Sequence, residues 1–157
     1  MIILGIDPGL ATTGYAFISS QRGVVENIRW GCITTKPHQP TATRLLILRK
    51  GLQKLITAQR PHRAAIEKLY FQTNAKTAMV VGEARGALIT TLAELNIPIF
   101  EFTPLEIKRA VTGSGSADKR QVQKMLTLIF HLDEPPRPDD AADAVAIAWC
   151  GMCNRPK

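Results

Sequence analysis

The stretch Ile2-Ile3-Leu4-Gly5-Ile6-Asp7, closed by Pro8-Gly9, is the part of the sequence from which the fold is read. A short apolar run that stops at a Pro-Gly turn signal reads as a buried β-strand, and the acid falls at its C-terminal end. A carboxylate in that position is costly to bury unless it is paired or bound to a cation. Strand C-terminal ends are also where α/β sheets carry their chemistry. A simpler reading treats Asp7 as a turn starter, because Asp-Pro-Gly is favourable turn chemistry. The residue by itself does not choose between the two.

Working outward, residues 13–19 and 24–35 read as two more strands joined through Gln21-Arg22-Gly23, an antiparallel meander with the first. From Thr41 to Gln59 the period changes: Leu45, Leu48, Leu52, Leu55 and Ile56 fall on one helical face. A fourth strand follows at 63–67 (RAAIE), then a polar-aromatic segment, Lys68 to Thr73, and a helix over 74–95. Residues 97–102 (IPIFEF) read as a fifth strand. Thr103-Pro104-Leu105-Glu106 is a capping box with Pro at the first helical position, and its helix stops at Gly113. Gly113 to Ser116 (GSGS) forms a turn before a basic helix from Asp118 to His131. Pro135, Pro136 and Pro138 then exclude helix until Asp139, where the last helix runs to Met152. The order β-β-β-α-β-α-β-α-α-α predicts a mixed α/β layer fold, and with no linker in sight, one domain over 1–157.

The chain has 157 residues, a formal charge of +7 and 45% hydrophobic residues, so it holds enough apolar material for a core and suits an anionic partner. Nucleic acid is the commonest such partner, although surplus charge also serves solubility alone. The run Ile2 to Ile6 lacks a basic flank and is too short for an export signal, and no stretch approaches the length of a membrane span. A cytoplasmic protein without a membrane partner is expected. Cys32, Cys150 and Cys153 are expected to be reduced thiols, since one C-x-x-C without a second pair does not make a zinc site.

Three further acids join Asp7. Glu67 ends the short apolar strand Ala64-Ala65-Ile66, and it stands beside Asp7 if strands one and four are parallel neighbours. Asp140 and Asp143 lie three apart on the last helix and share a face. Capping and the helix dipole suffice for Asp140, and for Asp139 beside it. They do not explain Asp143, set among Ala141, Ala142, Ala144, Val145 and Ala146. Hard oxygen donors suit Mg2+ or Mn2+, whereas His38, His62 and His131 are isolated and read as surface residues. Two such ions, about 3.5–4 Å apart, would activate water and stabilise an in-line displacement at phosphorus. On the 74–95 helix, Ala75, Ala78, Gly82, Gly86 and Ile89 form a small-residue stripe. Each internal glycine costs about 1 kcal/mol relative to Ala, which implies close approach by the sheet or by a second subunit.

The set Ile6-Asp7-Pro8-Gly9, Thr13-Gly14-Tyr15, Ile66-Glu67 and Asp140-Ala141-Ala142-Asp143-Ala144 resembles the RuvC family of Holliday-junction resolvases. The segments 82–86 (GEARG) and 113–119 (GSGSADK) are similar to that family as well, so the likeness spans nearly the whole chain in order. The resemblance implies a ribonuclease-H-like fold: a five-stranded mixed sheet, three antiparallel strands then two parallel ones, flanked by helices. It implies a homodimer making paired symmetric nicks in a four-way DNA junction during recombination and repair, with a RuvA-RuvB branch-migration complex as further partner. The catalytic and metal-binding acids then fall on Asp7, Glu67, Asp140 and Asp143, with two Mg2+ ions expected and Mn2+ as a substitute. Lys108 and Lys119 match basic residues facing DNA, and Tyr70 matches an aromatic, usually Phe, that inserts at the branch point.

The residues agree with this. Tyr70 and the adjacent Phe71 follow Glu67, and base–aromatic stacking is worth about 1–3 kcal/mol per base, although a Tyr-Phe pair also tucks readily into a core. Ser114, Ser116, Lys119 and Arg120 offer charge, and amides at a helix start, to phosphates; an ordinary hinge explains the same turn. Ala78, Gly82 and Gly86 mark the expected dimer face. Asp139 is an extra acid beside the family pattern and is expected to cap its helix, with an alternative metal ligand as the other reading. Three rivals stand beside this reading: a YqgF-type nuclease of the same fold acting on RNA, a protein that binds junctions without cutting, and an actin-like sugar kinase. The kinase needs two such lobes, and the second rival leaves four DNA-facing acids unexplained.

Overall fold

Strand β1 (Ile2–Asp7), the run quoted above, takes the middle of the sheet in a computed structural model that describes residues 1–68 and 75–154, with the side chains of Ala75, Lys76 and Thr77 left out. On one side β1 pairs antiparallel with β2 (Thr12–Gln21), which pairs antiparallel with β3 (Val24–Thr34). On the other side it pairs parallel with β4 (Arg63–Glu67), and β4 with β5 (Ile99–Phe102). The sheet order is β3-β2-β1-β4-β5, so the three antiparallel strands followed by two parallel ones form as expected.

The period of two along β1 sends alternate side chains to two different cores. Leu4 and Ile6, with Phe17, Ala64 and Ile66, meet Leu48, Leu52 and Ile56 of α1 (Thr41–Gln59) and Ala84, Leu88 and Leu92 of α2 (Ala75–Glu94). On the opposite face Ala16, Ile18 and Ala65 meet α5 (Asp139–Cys153). Behind α5, Ile107 and Val111 of α3 (Pro104–Thr112) and Val122 and Leu126 of α4 (Lys119–Ile129) complete the layer. Asp7 keeps the parity of Gly5, and Glu67 that of Ala65, so both carboxylates emerge on the α5 side.

Helix α5 is buried along most of its length and lies against the sheet without large side chains between. A Cβ on Gly5 would run into the Ala144 carbonyl and the Ala148 amide, and one on Gly14 into the Asp140 carbonyl. Both positions must therefore be glycine for the helix to sit where it does. At Gly151, two residues before the helix end, an added Cβ would meet the side chains of Ala65 and Ile3.

Several boundaries shift by one or two residues from the sequence reading, and two of the shifts have a clear cause. Strand β5 begins at Ile99, after Pro98, which has no N–H to give to a ladder and contributes its carbonyl to the Ala64 amide instead. Strand β2 runs on to Gln21 because β3 follows it through an irregularity at Ser19 and Ser20. The cysteines are free: Cys150 is in the core, where burial pushes its thiol up to about 12, Cys32 is half-buried and Cys153 exposed. Among the described residues, no helix is long and apolar enough to cross a membrane.

The packing makes a direct prediction. Gly14→Ala should destabilise the protein by about 1–3 kcal/mol in urea unfolding, as overpacking does. Gly51→Ala on α1, where an added Cβ meets only the end of the Ile33 side chain at 3.0 Å and gains helix propensity, should cost clearly less. Equal costs at the two positions would contradict the seat described for α5.

Candidate active site

Asp7 is the last residue of β1 and Glu67 the last of β4; the parallel register pairs Ile6 with Ile66, so the acids stand next to each other at one sheet edge. Helix α5 begins above the same edge, because its first turn rests on Gly14, the cross-strand partner of Asp7. One turn in, Asp143 faces a cleft of about 220 Å3 that Asp7 and Glu67 also line. Helices α3 and α4 form the other wall, with Ile107 and Val122 as apolar lining and Lys108 and Lys119 as cations.

These walls partly bury the acids, which also repel one another. The Asp7 carboxyl is pushed up to about 7, first by burial and then by the charges of Asp143, Glu67 and Asp140. Glu67 is raised by burial and by Asp143, with Lys108 opposing. Asp143 is raised by burial, while the hydrogen bond and charge of Lys119 pull the other way. Lys119 Nζ donates to Asp143 Oδ2 at 3.1 Å and lies 3.3 Å from Asp139 Oδ2. Burial lowers the Lys119 ammonium, but bonds and charge from Asp143 and Asp139 outweigh it and leave the group raised.

Asp140 adds to the charge felt by Asp7 but does not line this cleft. It borders a neighbouring groove of about 440 Å3 with Leu10, Val80 and Arg44. Arg44 Nε is anchored on Thr35 Oγ1 at 2.8 Å. Asp139 departs from the expectation. Pro138 occupies the N-cap position and no side chain caps α5; the Asp139 carboxylate instead reaches Lys119 and Gln123 of α4.

At the start of α4, Asp118 and Gln121 form a reciprocal capping box. It uses two of the amides that sequence reading offers to phosphate, and leaves Lys119 and Arg120 exposed. The Ser114 and Ser116 hydroxyls lie 3.0 Å apart in the preceding turn, outside the cleft. Tyr70 and Phe71 lie outside the described residues. On α2, Ala78 and Gly82 are half-buried and Gly86 is exposed, so no intrachain neighbour requires Gly86 to be glycine. His38, His62 and His131 are exposed, as read from the sequence.

Arg44, Arg85 and Gln123 carry no local sequence signal that marks them as site residues. Arg85 Nε donates to the Glu67 carbonyl at 3.2 Å and its terminal amine to Glu101 Oε2 at 2.6 Å, which fixes the end of β4 against α2. The similarity of residues 82–86 to a family segment was the available signal for Arg85.

Among the described residues, no three Asp, Glu, His or Cys side chains are grouped tightly enough to enclose an ion as they stand. The chemistry of the donor set nevertheless fits a hard divalent cation. The three carboxylates of the cleft are all oxygen donors held at an energetic cost, and Lys119 supplies the compensating charge.

The profile of the family described as "Crossover junction endodeoxyribonuclease RuvC" matches residues 3–151. A protein of that description from Pseudothermotoga lettingae is 47% identical over 155 residues, covering 99% of this chain and 96% of its own. One from Desulfitobacterium hafniense is 43% identical over 150 residues, covering 96% and 91%. The solved structure of Thermus thermophilus RuvC in complex with Holliday junction substrate superposes with a TM-score of 0.89 at 30% identity, covering 96% of this chain and 92% of that one. The yeast mitochondrial resolvase Ydc2, with a TM-score of 0.63 at 19% identity, shares the fold.

Because the folded pKa of Asp7 lies above its unfolded value, the folded state holds this proton more tightly, and stability falls as pH rises from 3.8 to about 7. In EDTA, Asp7→Asn should therefore stabilise the protein at about pH 8, by at most about 4 kcal/mol. The gain should shrink towards pH 4. Urea unfolding across pH checks this, and a gain independent of pH would contradict the assigned strain.

Proposed function

This chain belongs to the RuvC family of crossover junction endodeoxyribonucleases, and from that membership we propose that it resolves Holliday junctions by hydrolysing phosphodiester bonds symmetrically in strands of like polarity. The observation that carries the reading to particular residues is the convergence of Asp7, Glu67 and Asp143 on one cleft, with Lys108 and Lys119 facing them.

Enzymes of this family are divalent-metal nucleases; the finer reading is Mg2+, two ions per site, with Mn2+ able to replace it. Asp7, Glu67 and Asp143 would hold the ions, and Asp140, at the border of the next groove, completes the acidic set. Bound there, divalent ions supply an activated water and offset the charge that builds on the phosphoryl oxygens. The residues of the chain do the rest. Lys108 and Lys119 fix the phosphate backbone against the acids, and Ile107 and Val122 keep bulk water from the cleft. Ser114, Ser116 and Arg120 extend the DNA contact along the α4 start, and Tyr70 with Phe71 supplies the ring that opens the branch point.

Paired incision needs two sites, and a two-fold dimer presents them to a junction of matching symmetry. The proposed interface is the face of α2 around Ala78, Gly82 and Gly86. Support comes from the open space at Gly86 and the exposure of Met79 (69%) and Val80 (40%) on the same helix. The proposed unit is one nuclease domain over 1–157, acting in the cytoplasm, where it meets the chromosome, and receiving junctions from a RuvA-RuvB complex.

Asp7→Asn should abolish nicking of a synthetic four-way junction in Mg2+ and leave junction binding within about twofold, because it removes a site for charge rather than a DNA contact. Wild-type cutting by this variant would defeat the assignment. Truncating Tyr70 and Phe71 together to Ala should slow junction cleavage far more than it weakens binding to plain duplex. Equal losses on both substrates would remove the branch-point role.

A further inference from the structure

We infer that Asp139 is a positioning residue of this site, which keeps hold of the Lys119 ammonium when Asp143 takes up a divalent ion. The proposal rests on the reading that Asp7, Glu67 and Asp143 form the ion site. Lys119 Nζ is shared between Asp143 Oδ2 at 3.1 Å and Asp139 Oδ2 at 3.3 Å. The other oxygen of Asp139, Oδ1, accepts from Gln123 Nε2 at 3.2 Å. Lys119 and Gln123 lie four apart on α4 and so share a face, and Asp139 binds both from the first turn of α5.

A favourable helix dipole would account for an acid at this position. It would not account for a carboxylate whose two oxygens are both engaged by side chains of another helix. An ammonium has three donors, so it can serve both acids at once. A cation entering at Asp143 must displace Lys119 from its oxygen. With Asp139 present, the ammonium gives up one carboxylate and retains the other. Without it, Asp143 is the sole carboxylate partner of Lys119 among the described residues, and the lysine opposes ion entry more strongly. Asp139 also keeps Lys119 at the mouth of the cleft, where a DNA phosphate would arrive. All three side chains are partly exposed, so the effect is the few-fold one typical of solvated ion pairs.

Manganese binding to the DNA-free protein, followed by the electron paramagnetic resonance of free Mn2+, tests this without relying on catalysis. Asp139→Asn retains an acceptor for Gln123 and should weaken Mn2+ binding about two- to fivefold. Asp139→Glu should recover most of that loss. Lys119→Gln should tighten Mn2+ binding, and in that background Asp139→Asn should have little further effect. The concentration of Mg2+ giving half-maximal nicking should follow the same pattern in the variants that keep Lys119. An equal Asp139→Asn loss with and without Lys119 would reduce Asp139 to a remote charge and overturn the proposal, as would unchanged Mn2+ affinity. Failure of the wild-type protein to take up Mn2+ would overturn the ion site itself and this inference with it.

Discussion

Helix α5 can settle on the sheet only because Gly5 and Gly14 carry no Cβ, and the remaining geometry of the site depends on that contact. The Ala144 and Ala148 backbone lies over β1, and the Asp140 carbonyl over β2, closer than any side chain would allow. The seat fixes both the height of the helix and its rotation. With the alanines turned to the sheet, Asp143 comes out over the strand edge where Asp7 and Glu67 end. One larger residue at either glycine would lift the helix and carry Asp143 away from its partners, whatever its own chemistry.

This seat gathers like charges in a partly buried place. Burial and three neighbouring acids raise Asp7 to about 7, and Lys119 gives back part of the balance from the opposite wall. Such a cleft is strained without a cation and relieved by one, which is the arrangement a hydrolytic metal site requires. Lys119 therefore has two aspects: it stabilises the acids in the free protein and stands where a phosphate would later need it. Asp139 lies where it can ease the exchange between the two.

Much of this was legible in the sequence, for physical reasons. The strands and helices announced themselves through period and punctuation: the run to Asp7, the leucine stripe of α1, the Thr103–Glu106 capping box. Asp143 could be singled out because a carboxylate among alanines has no local use. The pairing of Asp7 with Glu67 followed once β1 and β4 were taken as parallel neighbours. Asp139 was misread as a cap because capping is a local rule, whereas its partners Lys119 and Gln123 come from a different helix. The placement of Asp140 at the border of a second groove, beside Arg44, likewise depended on tertiary packing that no spacing encodes. The start of β5 turned on Pro98, whose missing N–H the apolar pattern concealed.

The central claim is that the seat of α5 builds one cation site from Asp7, Glu67 and Asp143. A crystal grown with Mn2+, with anomalous diffraction locating the metal, tests it most directly. The account predicts an anomalous peak bounded by those three carboxylates, with Lys119 withdrawn from Asp143 and still within reach of Asp139. The absence of a peak among those three carboxylates, or a Lys119–Asp143 bond that persists with the metal bound, would contradict it.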